Sequence, residues 1–400
     1  MTFASANLTQ LRYKTEASFG VTPAGNGKNL RCTDTAGLAF TLTSETSKEI
    51  RSDRQVTDMV LTGASATGGV PFELSYREYD DLIQAVLQGT WSTWGVDGVG
   101  ASIPVSATFA AGALTAGGAT SGASIFTNLA LGQWVRISGS TISGQNKLVQ
   151  VSKTVTPTDT VLTFEGTPFT GMLGNGGIAV KVNTQRVSNG IVQRSFSIER
   201  EHADIAQFFN FRGMTASKMS LSFQSGSIVT GNFDFMGKDA VRGVATEMGA
   251  SAQSQSFGIM NAVSGVGNIY EGGAALIGTS IKSLALDIDN ALRAQDAIGT
   301  LGAVGIGSGT IAISGTMEVY LADGTMYDKF LNNTASSVSW SAVDGDGNGY
   351  VFTLPKVKYK DAKVTGGSLN SDAMLSMPFE ALMDAATLKT IIIDRVGAGV

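Results

Sequence analysis

The sequence predicts a mainly β protein: two tandem β-sandwich domains, each with a flanking α-helix, and a small β-barrel or sandwich domain inserted into the first. Three observations predict it. The 400 residues include 50 glycines and only 15% charged side chains, against about 7% and about 25% in an average chain. Val, Ile, Thr and Phe fall in short alternating runs split by turn residues, the pattern of strands. A series of parts, strand, long polar loop, strand and short amphipathic helix, occurs at 44–87 and again at 286–331.

The lead-in 1–43 carries one strand, with Leu30, Cys32, Leu38, Phe40 and Leu42 alternating against polar neighbours. In the first copy, Ser75 and Glu78 have capping-box spacing. Tyr79, Leu82, Ile83, Val86 and Leu87 then share one helical face, and Gly89 stops the helix. In the second copy, Ile50-Arg51 is echoed by Leu292-Arg293, and Phe72-Glu73-Leu74 by Met317-Glu318-Val319. The run Tyr79-Asp80-Asp81-Leu82-Ile83 is echoed by Tyr327-Asp328-Lys329-Phe330-Leu331, with Asp323 at the N-cap. Two downstream strands pair likewise, Phe196-Ser197-Ile198 with Phe352-Thr353-Leu354 and Phe233-Asp234-Phe235 with Met377-Pro378-Phe379.

The segment 96–187 has no counterpart in the second copy, where only a short turn stands at 342–349. Small residues give way there to short strands, and Phe126, Trp134, Val135, Ile137, Leu148, Val149, Val151, Val161, Leu162 and Phe164 can fill a core of their own. An insertion at an exposed loop is the simplest reading. Met219, Leu221 and Phe223, a turn at Gly226, then Phe233 and Phe235 complete the first copy. The expected organisation is a discontinuous first domain (1–95 and 188–240), the insert (96–187), a connector arm (241–280), and the second domain with a C-terminal tail (281–400).

The net charge of -5 argues against a protein that grips nucleic acid, which needs a basic surplus. Cys32 is the single cysteine, so no internal disulfide forms. The N-terminus lacks the apolar core of a signal peptide, and no apolar run reaches membrane-span length. A soluble protein made in the cytosol is expected.

No catalytic, cofactor or metal constellation stands out. His202 is the lone histidine, without G-x-S-x-G or H-E-x-x-H context, and reads as a solvated strand end beside Glu199, Arg200 and Glu201. Asp344, Asp346 and Asn348 open a D-x-D-x-N-G calcium loop, but Pro355 stands where its bidentate glutamate belongs, so a hairpin turn explains them better. The glycine clusters at 98–100 and 302–309 lack the phosphate-loop pattern. Lys356, Lys358 and Lys360 either guard an edge strand or meet acidic residues of a neighbouring subunit. Trp91, Trp94 and Trp134 motivate an alternative, an adhesive or carbohydrate-binding β-rich surface protein.

The words SKEIRSDRQVTD (47–58), FELSYREYDDLIQAVLQGTW (72–91) and GTMEVYLADGTMYDKFL (315–331) resemble the major tail tube protein of long-tailed, siphovirus-type bacteriophages. The resemblance implies a β-sandwich with one helix, whose inner sheet joins its neighbours into a closed cylinder. Rings hold six tube domains, so a duplicated chain forms a trimer with pseudo-sixfold symmetry. Long loops reach the adjacent ring. Here they are 48–67 and 290–308, with Lys48, Glu49, Arg51, Asp53, Arg54, Asp58, Arg293 and Asp296 as inter-ring candidates. Asp53, Asp58, Glu73 and Glu318 are lumen candidates, Lys356, Lys358 and Lys360 inter-subunit candidates, and the insert decorates the outside. The implied partners are the chain itself, a tape measure protein, a tail terminator, a distal tail protein, and DNA that passes without tight binding. The implied location is the virion, assembled in the host cytoplasm.

Overall fold

The computed structural model describes residues 3–92, 101–103, 107–116, 126–175, 180–250, 257–263, 269–272, 274–275, 280–366 and 369–397. Trp94 and the glycines at 98–100 lie outside them. The fold is mainly β, with two short α-helices among the described residues, Asp80–Val86 and Thr325–Leu331.

One antiparallel sheet runs through both halves. From its first border, Leu38–Thr46 pairs with Met59–Glu73, then come Thr230–Gly237, the end of Gln207–Gln224, Ile281–Asp289, Ala312–Tyr320 and Met374–Ala381. The far side of Met374–Ala381 carries Lys363–Thr365 and the last residues of Gly349–Tyr359. Strand alternation sends Val70, Phe72, Met219, Leu221, Phe233, Leu286, Met317, Met377 and Phe379 into the core, and their polar neighbours to the opposite, open face.

A second layer covers the apolar face. It is made in the first half by Thr9–Thr15, Ser195–His202, the start of Gln207–Gln224 and Asp239–Gly243. In the second half it is made by Tyr270–Glu271, Ser336–Val343, the start of Gly349–Tyr359 and Ile392–Val396. Each long strand, Gln207–Gln224 and Gly349–Tyr359, belongs to both layers and turns the corner at a bulge.

The halves carry the same pairings in the same order. Thr9–Thr15 pairs with Lys28–Leu30 and Ser195–His202, as Tyr270–Glu271 pairs with Ala274–Ala275 and Ser336–Val343. Asp239–Gly243 returns to the first long strand as Ile392–Val396 returns to the second. The bulges fall opposite Ser197 and Ser337, which matches Phe211 to Leu354 and Met214 to Val357. Carried along the ladders, this register matches Phe233 to Met377 and Phe235 to Phe379, as the sequence pairing expects.

Two expected matches shift. The counterpart of Phe196-Ser197-Ile198 is Ser336-Ser337-Val338, not 352–354, because bulge position outweighs a shared aromatic. Met317 is equivalent to Val70 rather than Phe72, which makes Gly68 the equivalent of Gly315. At both glycines an added Cβ would strike a neighbouring strand's carbonyl, that of Gly37 or of Ala285, so close backbone approach requires glycine at each. Tyr270–Glu271, in the stretch 241–280, pairs with Val338 and Ser339.

The capping box does not form. Arg77 is left-handed (φ 61), so the chain cannot run helically from Ser75, whose hydroxyl meets Arg31 instead. The helix begins at Asp80 without a side-chain cap, and Gln88 rather than Gly89 takes the left-handed turn after it (φ 49). Its buried face is Leu82, Ile83, Ala85 and Val86. Asp323 accepts the Thr325 N–H at 2.9 Å, one residue outside the Gly324 N-cap. The first long loop is shorter than expected, because Met59–Glu73 resumes pairing at Met59 through small residues that hide the alternation.

Between residues 101 and 183 the described strands form two four-stranded sheets around a separate core that includes Phe109, Phe126, Val135, Ile137, Leu162, Phe164 and Phe169. Trp134 points elsewhere, its ring 5.2 Å from that of Tyr270. Gln185–Ser188 then joins Ile392–Val396, and buried Asp394 accepts Arg186 at 2.7 and 2.8 Å and the Trp134 backbone N–H at 3.0 Å.

Candidate assembly surface

The open face of the shared sheet is polar and acidic. Glu73, Asp234, Asp287, Asp289, Glu318 and Glu380 occupy outward positions of its strands, against Lys218, Lys358, Lys363 and, just past a strand end, Lys360. Lys218 stands opposite both Asp234 and Asp289, and its ammonium lies 2.8 Å from Asp289 where the halves meet. That hydrogen bond raises the Lys218 pKa above its ordinary value. Partial burial raises the Asp287 carboxyl, an effect that Lys218 opposes. Ser283 donates to Glu318 at 3.0 Å, and Lys360 lies 2.6 Å from Glu380. The face therefore pairs Lys218 with Asp289 and Lys360 with Glu380, and its carboxylates outnumber its lysines.

Two long connections leave this sheet at one rim. Residues 47–58 join Leu38–Thr46 to Met59–Glu73, a hairpin that stands clear of the body. It exposes apolar side chains: Ile50 at 102%, Val56 at 68%, Met59 at 64%, Val60 at 54% and Leu61 at 53%. Residues 290–311 carry a small hairpin, Arg293–Gln295 with Gly305–Gly307, and lie back against the first half. The Ala64 N–H donates to the Leu301 carbonyl, Gln88 to Ser308 at 2.6 Å, and Gln193 to the Ile306 carbonyl at 2.7 Å.

The residues picked from sequence divide between these places. Lys48, Glu49, Arg51, Asp53, Arg54 and Asp58 all sit exposed on 47–58, where Arg51 pairs with Asp53 at 2.8 Å and Thr57 donates to Glu49 at 3.1 Å. Arg293 and Asp296 sit exposed on the second loop. Of the four lumen candidates, Glu73 and Glu318 share the open face, whereas Asp53 and Asp58 belong to the projecting hairpin. Lys358 faces Glu380 across the ladder, and Lys356 lies at the bulge near Asp384. Sequence reasoning passed over Lys218, Asp234, Asp287 and Asp289. Their signal was the alternation of charge with core residue in FDF (233–235) and LDID (286–289).

The remaining motifs have structural roles. His202 Nδ1 meets the Thr9 hydroxyl at 3.1 Å, and its ring lies edge-on to Phe209. Asp344 accepts the N–H groups of Asp346 and Asn348 at 3.0 and 2.8 Å, which makes 344–348 a tight hairpin turn. Trp91 donates to the Asp80 carbonyl, and Arg395 lies over its ring at 5.1 Å. With Trp134 also inside, the described tryptophans offer no exposed sugar platform, contrary to the adhesive reading. Burial pushes the Cys32 thiol up to about 11.

A sheet with one acidic open face, two rim loops and borders that pair with nothing further among the described residues is suited to assembly, and the family comparison agrees. The phage tail tube protein model matches residues 6–381. The chain belongs to the phage tail tube protein family. It is accordingly a structural component of a bacteriophage virion, a β-sandwich protein that self-assembles into a tube with other tail proteins, and family membership implies a non-enzymatic role. Among curated proteins, none matches the sequence. No described helix is long and apolar enough to cross a membrane.

Proposed function

We propose that three copies close into a ring with pseudo-sixfold symmetry, that rings stack through the rim loops, and that the resulting tube conducts double-stranded DNA at ejection in a siphovirus-type tail. Each chain contributes two diverged copies of one tube domain, and the segment 96–187 forms an inserted domain on the outside. One observation carries this reading: an uninterrupted sheet runs through both halves and ends in borders that pair with nothing further among the described residues.

The geometry supports it. The path from Leu38–Thr46 to Lys363–Thr365 crosses eight strands. Three chains then supply about 24 strands, which at about 4.8 Å spacing close into a cylinder roughly 37 Å across. A tilt near 40° widens it to about 48 Å. A duplex roughly 20 Å wide passes within that bore. Closure removes the sheet edges that would otherwise aggregate. Carboxylates such as Glu73 and Glu318 on the inner wall repel phosphate, so DNA slides without being held. Tube length is set by a tape measure protein, and the ends meet a tail terminator and a distal tail protein.

Particle masses of the purified protein test the ring. Multiples of three chains, with no retention of duplex DNA at low salt, are expected. A strictly monomeric distribution at every concentration would remove the proposal.

A further inference from the structure

We infer that neighbouring chains join by pairing Lys363–Thr365 of one with the border Leu38–Thr46 of the next, in the register that the two halves of a single chain use with each other. This deepens the ring reading above and rests on it.

Inside the chain the joint is antiparallel, with Ser220 opposite Asp287, Leu221 opposite Leu286 and Ser222 opposite Ala285. The matched ladders translate each side. Ser220, Leu221 and Ser222 face Asn232, Gly231 and Thr230, whose counterparts Ser376, Leu375 and Met374 face Lys363, Val364 and Thr365. Leu286 faces Gly315 and Leu38 faces Gly68, so Leu38 stands where Leu286 does. The joint between chains therefore sets Lys363 opposite Ala39, Val364 opposite Leu38 and Thr365 opposite Gly37.

Both borders look prepared for it. Leu221 in the covered joint is 3% exposed, whereas its counterpart Val364 is 50% exposed. The other border is capped: the Arg200 guanidinium reaches the carbonyls of Leu38 at 3.3 Å and Thr35 at 3.4 Å, while its Nε has no partner among the described residues. A charged side chain on an edge blunts premature pairing, and incoming strand amides replace it on these acceptors. Because the Leu38 carbonyl points outward, position 38 is the bonding one and position 39 the close, non-bonding one. Ala39 and Lys363 then bring their Cβ atoms within disulfide reach.

In a Cys32→Ser background, the pair Ala39→Cys with Lys363→Cys should oxidise into a ladder of covalent species that ends at the trimer. The pair Thr41→Cys with Lys363→Cys, two residues out of register, should not. Val364→Pro removes one outward donor at an edge where proline is tolerated, so it should melt like the parent yet form no rings. Tubes that cross-link only through the shifted pair, or Val364→Pro chains that build normal tubes, overturn the register and leave the ring standing. Failure of the unmodified chain to form any ring removes both.

Discussion

Replacing Val56 with Ser and Met59 and Leu61 with Thr removes apolar surface from the hairpin that projects from the rim. These side chains are 68%, 64% and 53% exposed, so together they present nearly two complete side chains to water. At about 1.5–3 kcal/mol per fully buried side chain, covering them in a stacked tube contributes about 3–5 kcal/mol, or half that if only half their surface is covered. Each 1.4 kcal/mol is tenfold in an equilibrium. The concentration at which tubes first sediment should therefore rise at least about tenfold in the triple variant. The unassembled chain should be almost unaffected, because exposed substitutions of this kind cost within about 0.5 kcal/mol. Threonine also keeps the strand propensity at 59 and 61. Pelleting across a dilution series measures the first quantity and thermal unfolding of dilute protein the second. An unchanged threshold would refute the idea that this hairpin is covered by a neighbour.

Other outcomes follow from the same geometry. Asp394→Ala strands the Arg186 guanidinium and the Trp134 backbone N–H, and should cost about 3–5 kcal/mol in denaturant unfolding, as when one partner of a buried pair is deleted. Burial raises the Glu78 carboxyl above its ordinary value. The folded state thus holds that proton more tightly, and the penalty for ionising Glu78 grows as pH rises through its raised pKa. Glu78→Gln should then melt higher than the parent at pH 7, with the difference vanishing below about pH 4; an equal gain at both pH values would contradict the assignment. Trypsin should cut unassembled chains first after Lys48, Arg51 or Arg54, which lie on the exposed hairpin, and leave those bonds intact in tubes.

Most of the strand content was legible because the core residues alternate without interruption, as in Phe233 and Phe235 or Met377 and Phe379. Register was not. Phe196 and Phe352 look alike in sequence, but a two-for-one bulge opposite Ser197 and Ser337 decides their places, and a bulge leaves no clear mark in composition. The helix start was misread because the spacing of Ser75 and Glu78 carries no information about Arg77, whose left-handed backbone breaks the run. Glu73 and Glu318 were picked for their charge, and both stand on the open face because they flank core residues. Asp53 and Asp58, picked for the same charge and also as loop residues, lie on the hairpin. Lys218 with Asp289 was missed since the contact joins two halves far apart in sequence.

A helical reconstruction of the assembled tube tests the central claim most directly, through its cross-section. About 24 inner strands should surround a hollow bore, three chains to a ring, with Glu73 and Glu318 turned toward the axis. A solid centre, or these two carboxylates on the outer surface, would contradict the account.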